Sequence, residues 1–473
     1  MVNSPSEQGA SADMSSAPWI VPLRAGNGPR YLQIARMIGR AIEAGTLRPG
    51  DQIPTQRALA SRLGVDLTTV TRAYAHARQQ GWISATTGRG SFVARPTAAR
   101  EDSAVADLGM NVPPTHGGLD ALLRQGLDAL LQAHGACDLS SYEPAAIADQ
   151  VLDAGRDWLR PALGAQTLQQ PLLLAAGTQA ALCAILMRSC RQDDAVLCDP
   201  LTYPGFLLAA RSLRLRIVPV QGDDAGMRPD ALQAALDGVN ARLLYLNPTL
   251  HNPTTRTMPT ARRQAIAAVL RERQLTLIED DPYRPLLTDA PAPLTHWTGG
   301  VRSFYVASLS KTIWPSLRMA FVLAPDQAAA DEVQDCLRAT GMGCSPLLAG
   351  LAAQWMASGQ ARRMVGEVQR EARLRQAAAR ELLPQAQADA QGLHAWLPLP
   401  PHWTQQLFMH ALQERGIAVA PAQAFAVDGQ GPEAVRLSLG AAAGIAQLRT
   451  TLESVARLWH SGAARSTRAR AVV

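Results

Sequence analysis

Ala307-Ser308-Leu309-Ser310-Lys311-Thr312-Ile313-Trp314-Pro315-Ser316-Leu317-Arg318 carries the only lysine of a 473-residue chain. Every other basic residue among the 45 is an arginine, so a guanidinium serves wherever positive charge is enough. An arginine cannot shed its proton and attack a carbonyl; a lysine can. Lys311 is therefore the first candidate for covalent amine chemistry. A stray surface lysine would look the same in isolation, and its surroundings have to decide.

Just before it, 304–307 is a short apolar run bounded by polar residues, the pattern of a buried strand. Similar runs recur at 172–175, 195–198, 216–220, 243–246, 276–279 and 319–323, with helical periodicity between them at 178–188 and 260–273. This alternation predicts an α/β domain with a largely parallel sheet covered on both faces by helices. A long helix over 365–383 then leads into a smaller α/β part, from about 385, with strands at 393–397 and 435–439. Residues 461–473 lose periodicity and read as a loose tail.

Ligands of such sheets gather at the carboxyl ends of strands. Gly177-Thr178-Gln179 closes one strand and opens a helix, presenting free amides and a helix dipole to an anion. Tyr203, in Asp199-Pro-Leu-Thr-Tyr-Pro-Gly205, can lie against a flat heterocycle. Asn252, in Asn247-Pro-Thr-Leu-His-Asn-Pro-Thr-Thr255, and Tyr283, in Glu279-Asp-Asp-Pro-Tyr283, can donate to a phenolate oxygen. Asp280 begins where a strand stops, and a carboxylate there can hold a protonated pyridine nitrogen. Each segment alone is an ordinary cap, turn or loop; together, all at strand ends, they suit a phosphate-bearing aromatic aldehyde. Ser308-Leu-Ser-Lys311 also spells the S-x-x-K of serine acyl-enzymes, but those need a second lysine in a K-T-G strand.

The amino-terminal part has a different texture. Residues 1–28 are small and polar and are expected to form a disordered arm. Between 29 and 98 ten arginines face three acids, although the whole chain carries only +6. That concentration points to a polyanion-binding module. Leu32, Ile34, Met37, Ile38, Ala41 and Ile42 mark a first helix ending at Gly45. A second runs from Thr55 to Leu63, and a third follows Asp66 to about Gln80. Two short helices joined by a Gly-containing turn suggest a helix-turn-helix with Thr68, Thr69, Thr71 and Arg72 exposed on the second. Trp82-Ile83 and Phe92-Val93 flank Gly88-Arg89-Gly90-Ser91, a two-stranded wing with a basic tip. Residues 96–107 read as a linker.

Six scattered cysteines with no C-x-x-C pair argue against zinc and for reduced thiols. No apolar run reaches the ~18 residues of a membrane span, and the start lacks the charged and apolar regions of a signal peptide. A soluble, cytoplasmic protein is the expectation.

Residues 29–95 resemble the winged-helix domain of the GntR family, through Leu47-x-Pro-Gly-Asp-x-Ile-Pro-Thr-x-Arg57-x-Leu-Ala, Leu63-Gly-Val, Thr68-Thr-Val-x-Arg72-Ala-Tyr and Gly88-Arg-Gly-Ser-Phe-Val93. The resemblance implies that Arg57, Thr68, Thr69 and Arg72 touch double-stranded DNA and that Arg89 and Gly90 reach the minor groove. Leu67 stands where the family usually has a polar or basic residue. Residues 108–460 resemble the pyridoxal-phosphate aminotransferases of fold type I, and the whole chain is similar to MocR-type regulators. That resemblance implies pyridoxal 5'-phosphate held as a Schiff base on Lys311, with Asp280 on the pyridine nitrogen. It further implies Asn252 and Tyr283 on the ring oxygen, Tyr203 on the ring face, and Thr178, Gln179, Ser308 and Arg318 around the phosphate. Tyr142 matches the tyrosine that reaches the phosphate across a homodimer interface, and Arg436 the arginine that binds a substrate carboxylate. The family's glycines are replaced at Ala145-Ala146, Thr255 and Ala320. The function implied is a DNA-binding regulator that senses an amine, an amino acid or a B6 vitamer by amine exchange at Lys311. The alternative is an active aminotransferase.

Overall fold

The computed structural model describes residues 19–23, 28–47, 50–79, 82–86, 90–93, 106–141, 145–167 and 169–462. The chain divides into two compact units, 1–102 and 103–473. Tyr142 and Arg89 lie outside the described residues.

The first unit is built on three helices, α1 (Arg30–Glu43), α2 (Gln56–Leu63) and α3 (Leu67–Gln79), with strands β1 (Gln52–Ile53), β2 (Ile83–Thr86) and β3 (Gly90–Val93). Thr55 caps α2 by accepting from the Ala58 amide at 3.2 Å, and Gly64 ends it at φ 61, where glycine carries no Cβ penalty. Ile34, Ile38, Leu59, Val70, Ala73 and Tyr74 form the core; burying each aliphatic side chain contributes about 1.5–3 kcal/mol. The Tyr74 hydroxyl donates to the Pro54 carbonyl at 2.6 Å, tying the turn before α2 to α3. β3 pairs antiparallel with β2 and β1, giving the wing. Part of the expected arm is corrected: Trp19, Ile20 and Leu23 pack against this core, because Trp19 to Leu23 is an apolar segment within the polar start.

The second unit opens with α4 (Leu119–Asp138) and α5 (Ala145–Thr167), each broken near its end by a non-helical glycine of positive φ, Gly135 at φ 70 and Gly164 at φ 74. A doubly covered sheet follows: β4 (Leu172–Ala175), α6 (Thr178–Ser189), β5 (Ala195–Cys198), α7 (Pro204–Ser212), β6 (Arg216–Pro219), the hairpin β7–β8 (Gly222–Asp223, Gly226–Met227), α8 (Pro229–Gly238), β9 (Ala241–Leu246), α9 (Thr260–Arg273), β10 (Thr276–Asp280), β11 (Ser303–Ser308), β12 (Ala320–Leu323) and α10 (Gln327–Gly341). α11 (Pro346–Ala357) and α12 (Gln360–Leu382) lead to the smaller part: β13 (His394–Pro398), α13 (Gln405–Gln413), β14 (Ala420–Pro421), β15 (Ala434–Ser438) and α14 (Ile445–His460).

The large sheet has the order β4-β12-β11-β10-β9-β5-β6. β12 runs antiparallel to both neighbours and the other pairs are parallel. β5 and β12 are buried throughout, and β10 from its second residue on, as strands covered on both faces must be. Ala106, inside the stretch expected as linker, is packed: Ala106 and Leu108 are buried in the core of the smaller part, and the Ala106 amide donates to Thr451 Oγ1 at 2.9 Å.

Candidate functional site

The parallel strands bring the ends of β4, β5, β9, β10 and β11 to one edge of the sheet, and the predicted residues follow from those ends. Asp280 is the last residue of β10, paired in register with Val306 of β11. Tyr245 of β9 donates to its Oδ2 at 2.8 Å, while its Oδ1 is buried without a partner. Asn247, just past β9, donates to the Asp280 carbonyl at 2.7 Å and accepts the Asn252 amide at 2.9 Å. It thereby fixes the Asn252 loop to the end of β10. Burial pushes the Asp280 carboxyl up to about 7; Tyr245 and Lys311 oppose the rise and Asp281 adds to it.

Lys311 follows β11 by three residues, and its Nζ donates to the Asn111 carbonyl at 2.5 Å. Burial, then the nearby Arg436, bring the ammonium down to about 8, with Asp280 opposing and Arg318 adding. An amine so tuned loses its proton near neutral pH, as attack on a carbonyl requires.

Arg436 sits in β15, 6% exposed, over the Phe425 ring at 5.0 Å. Nη1 donates to Asn252 Oδ1 at 2.9 Å and Nη2 to the Gly109 carbonyl at 2.5 Å. Nε is buried without a partner. Both acceptors are neutral, so the guanidinium charge has no carboxylate opposite it, and burial pulls its pKa down. A buried cation in that state is a receptor for an anion.

The Tyr283 hydroxyl accepts from Asn111 Nδ2 at 2.9 Å. Tyr203 precedes α7, where a Cβ on Gly205 would fall 2.4 Å from the Tyr203 ring and from Gln179 Oε1; only glycine lets that ring and Gln179 pack so close. Gln179 Nε2 donates to the Gly205 carbonyl at 2.9 Å. α6 opens at Gly177, φ 89, with no side-chain cap, leaving Thr178 and Gln179 in its first turn. The Arg318 guanidinium lies beside Gly177, with Nη2 3.6 Å from where a Cβ would stand. Ser308 ends β11, its Oγ accepting from the Ser310 amide at 3.1 Å. The structure thus brings Lys311, Asp280, Asn252, Tyr283 and Arg436 together, and places Gln179 against Tyr203 and Arg318 against the start of α6.

Sequence reading missed Tyr245, Asn247, Gly109, Asn111 and His394. Asn111 Nδ2 lies 3.3 Å from His394 Nδ1, and burial holds the His394 imidazole neutral, down to about 3. Asn247 had a signal, its place directly after β9. Asn111 stands 172 residues from Tyr283 and 283 from His394, and the His394 ring stands 143 from the His251 carbonyl, so no local pattern marks them. In the first unit, Arg57, Thr68 and Arg72 are exposed and Thr69 is half-buried. Thr71 is exposed as expected, its hydroxyl within hydrogen-bond reach of the Leu67 carbonyl at 2.9 Å and of Gln56 Oε1 at 2.8 Å. Among the described residues no cluster of acids, histidines and cysteines could hold a metal ion, and no helix is long and apolar enough to cross a membrane.

A winged helix followed by a transferase-type α/β unit, with a lysine, a carboxylate and a buried arginine converging at the strand ends, defines the class: a DNA-binding module joined to a cofactor-binding domain. Residues 30–93 match the gntR family of bacterial regulatory proteins and residues 103–455 match aminotransferase class I and II. An HTH-type transcriptional regulator of Bacillus subtilis, YdeF, is 30% identical over 93% of this chain and 96% of its own length. The vitamin B6 salvage pathway transcriptional repressor PtsJ of Salmonella typhimurium is 27% identical over 85% of this chain and 92% of its own. The crystal structure of the multiple substrate aminotransferase of Thermococcus profundus superposes with a TM-score of 0.70 over 76% of this chain and 92% of its own, at 20% identity. The chain belongs to the regulators of the MocR type, gntR-family winged helices fused to an aminotransferase class I and II domain.

The cofactor of that domain is pyridoxal 5'-phosphate. The residues present fit it: the orphaned Asp280 Oδ1 is the acceptor that a protonated ring nitrogen needs, and Lys311 is an amine of lowered pKa a short way from it.

Proposed function

We propose that this protein binds operator DNA as a homodimer in the cytoplasm and that its second unit senses a small amine, an amino acid or a B6 vitamer. The observation that carries the reading is the pairing of a receptive amine, Lys311, with a buried arginine, Arg436, whose side chain has no acid beside it.

In this reading Lys311 holds the cofactor and Asp280 keeps its ring nitrogen protonated. Asn252 and Tyr283 flank the ring oxygen, Tyr203 covers the ring face, and Thr178, Gln179, Ser308 and Arg318 surround the phosphate, with Tyr142 joining them across the dimer. Bound pyridoxal phosphate supplies a carbonyl carbon that exchanges one amine for another and a ring that accepts electrons from the attached group. Lys311 yields its place to an incoming amine, and Arg436 receives that ligand's carboxylate. Arg57, Thr68, Thr69, Arg72, Arg89 and Gly90 form the DNA contact. A difference of about 1–3 kcal/mol between the two occupancy states suffices for a switch.

Reductive trapping tests the reading directly, because the chain has one lysine. Borohydride treatment of the cofactor-loaded protein should add a phosphopyridoxyl group to the peptide carrying Lys311, and the Lys311→Arg protein should take up none there. An unmodified wild-type peptide would sink the assignment. Turnover is the second reading, favoured by the joint presence of Asp280, Lys311 and Arg436; sustained conversion of an amino acid with an oxo acid, in a protein without DNA affinity, would support it instead.

A further inference from the structure

Residues 108–112 cross the site ahead of the first helix of the second unit, and six of the ten main-chain amides and carbonyls there are engaged. The Leu108 amide donates to the Ala418 carbonyl at 2.8 Å and its carbonyl accepts from the Ser438 amide at 2.9 Å. The Gly109 carbonyl accepts from Arg436 and the Asn111 carbonyl from Lys311. The Val112 amide donates to Ser438 Oγ at 3.4 Å, and its carbonyl presses so closely on Gly440 that a Cβ there would stand 2.0 Å away. Met110, between the two carbonyls turned into the site, is 69% exposed. The segment is therefore a strap, stitched to the smaller part at both ends. It is held in its middle by the two cations of the site and by the buried Asn111 side chain, which reaches Tyr283, His394 and Ser438; at Gly109 the hold from the site is Arg436.

Resting on the function proposed above, we propose that this strap, Leu108–Val112, passes carboxylate binding at Arg436 to the chain that leads to the winged helix. Arg436 spends its Nη groups on two neutral acceptors, Asn252 Oδ1 and the Gly109 carbonyl. A ligand carboxylate is the stronger acceptor, because it brings an opposite charge and can take two guanidinium N–H groups in a bidentate fork, which a single carbonyl cannot. It displaces the Gly109 carbonyl, and the strap loses its hold on the site at Gly109 while Asn111 keeps its own. Among the described residues of the second unit, Ala106 and Leu108 are the first buried ones, so a loosened strap alters where the chain before them is anchored. The ligand class is a carboxylate-bearing amine; an amine without a carboxylate fills the site and leaves the strap in place.

Two preformed probes isolate the carboxylate: N-(5'-phosphopyridoxyl)glycine and N-(5'-phosphopyridoxyl)methylamine, added to the full-length protein. Hydrogen exchange of the peptide spanning 106–116 should be about three- to tenfold faster with the glycine probe than with the methylamine probe. Tryptic cleavage after Arg100 should change in rate with it. Arg436→Gln, still binding both compounds by retained pyridoxyl absorbance after desalting, should show no difference between them. Equal exchange in the wild type with both probes bound overturns the strap, whatever the variant does. A loosened strap with unchanged cleavage at Arg100 overturns its transmission. If neither compound stays with the protein, the reading of the cofactor site falls and the strap proposal falls with it.

Discussion

The Tyr245 hydroxyl holds one oxygen of Asp280 at 2.8 Å, and the other oxygen, equally buried, has no partner. Without a ring nitrogen to meet it, the carboxyl is pushed up to about 7, chiefly by burial, from an ordinary value of 3.8. A carboxyl whose folded pKa is raised contributes stability that is fully present below its unfolded pKa and lost as pH climbs through the folded one. Asp280→Asn carries no such loss. In cofactor-free protein, the variant should gain about 2–3 kcal/mol on the wild type between about pH 5 and pH 8, read from urea unfolding at the two pH values. In the cofactor-loaded protein the same substitution should weaken retention of the cofactor. A stability difference independent of pH would remove Asp280 as the titrating group.

Arg263 and Glu279 form an ion pair at 3.2 Å with neither side chain exposed. Arg263 also donates to the carbonyls of Met258 and Pro248 and to Thr249 Oγ1, while Glu279 accepts the amides of Leu294 and Thr295. One guanidinium thus braces the loop that presents Asn252, and one carboxylate holds the segment after Tyr283. Removing a single partner leaves a buried charge uncompensated, at a cost of about 3–5 kcal/mol. Arg263→Met should lower the midpoint of urea unfolding accordingly, and Arg263→Met with Glu279→Leu should recover most of the loss. A single variant as stable as the wild type would show that the pair does not brace the loop.

Thr255 adopts φ 65, a left-handed conformation that is costly for a β-branched residue. The sequence resemblance places a glycine there, and the backbone supplies the reason. The Thr255 amide donates to the His251 carbonyl at 2.7 Å, closing the turn that carries Asn252. Thr255→Gly should raise stability by about 0.5–1 kcal/mol, the relief of the strain exceeding the added entropy of the unfolded chain. A fall in the unfolding midpoint would mean that the buried Thr255 side chain contributes more than its backbone costs.

The strands of the large sheet were legible because burial turns most of them into short apolar runs, β6 with its exposed ends being the exception, and Lys311 because no second lysine competes with it. The antiparallel course of β12 was not, since a buried strand reads alike in either direction. Trp19 to Leu23 was read by the polar composition around it, and its own apolar residues decided the packing. Gly109 escaped because its role rests on a main-chain carbonyl, which every residue possesses, and Asn111 because its partners Lys311, Tyr283 and His394 are remote in sequence. Arg436 illustrates the middle ground: its place inside an apolar strand announced a buried charge, but that its partners are a carbonyl and an amide oxygen emerges only in three dimensions.

Arg72 stands exposed on α3 with its guanidinium 4.6 Å from the centre of the Tyr31 ring. The ring limits the wandering of a long side chain, so less freedom is lost when the cation meets a phosphate. Arg72→Ala removes the charge and should lower the slope of log affinity against log salt concentration by about 0.9, the value for one phosphate contact. Tyr31→Ala keeps the charge and removes only the support; it should weaken binding by about two- to fivefold, the worth of an exposed cation–π contact, and leave the slope unchanged. Fluorescence anisotropy with one duplex, titrated at several salt concentrations for wild type and both variants, separates the two effects. A wild-type slope in Arg72→Ala would take Arg72 off the phosphate backbone, and a reduced slope in Tyr31→Ala would mean that the ring itself shapes the DNA-binding surface.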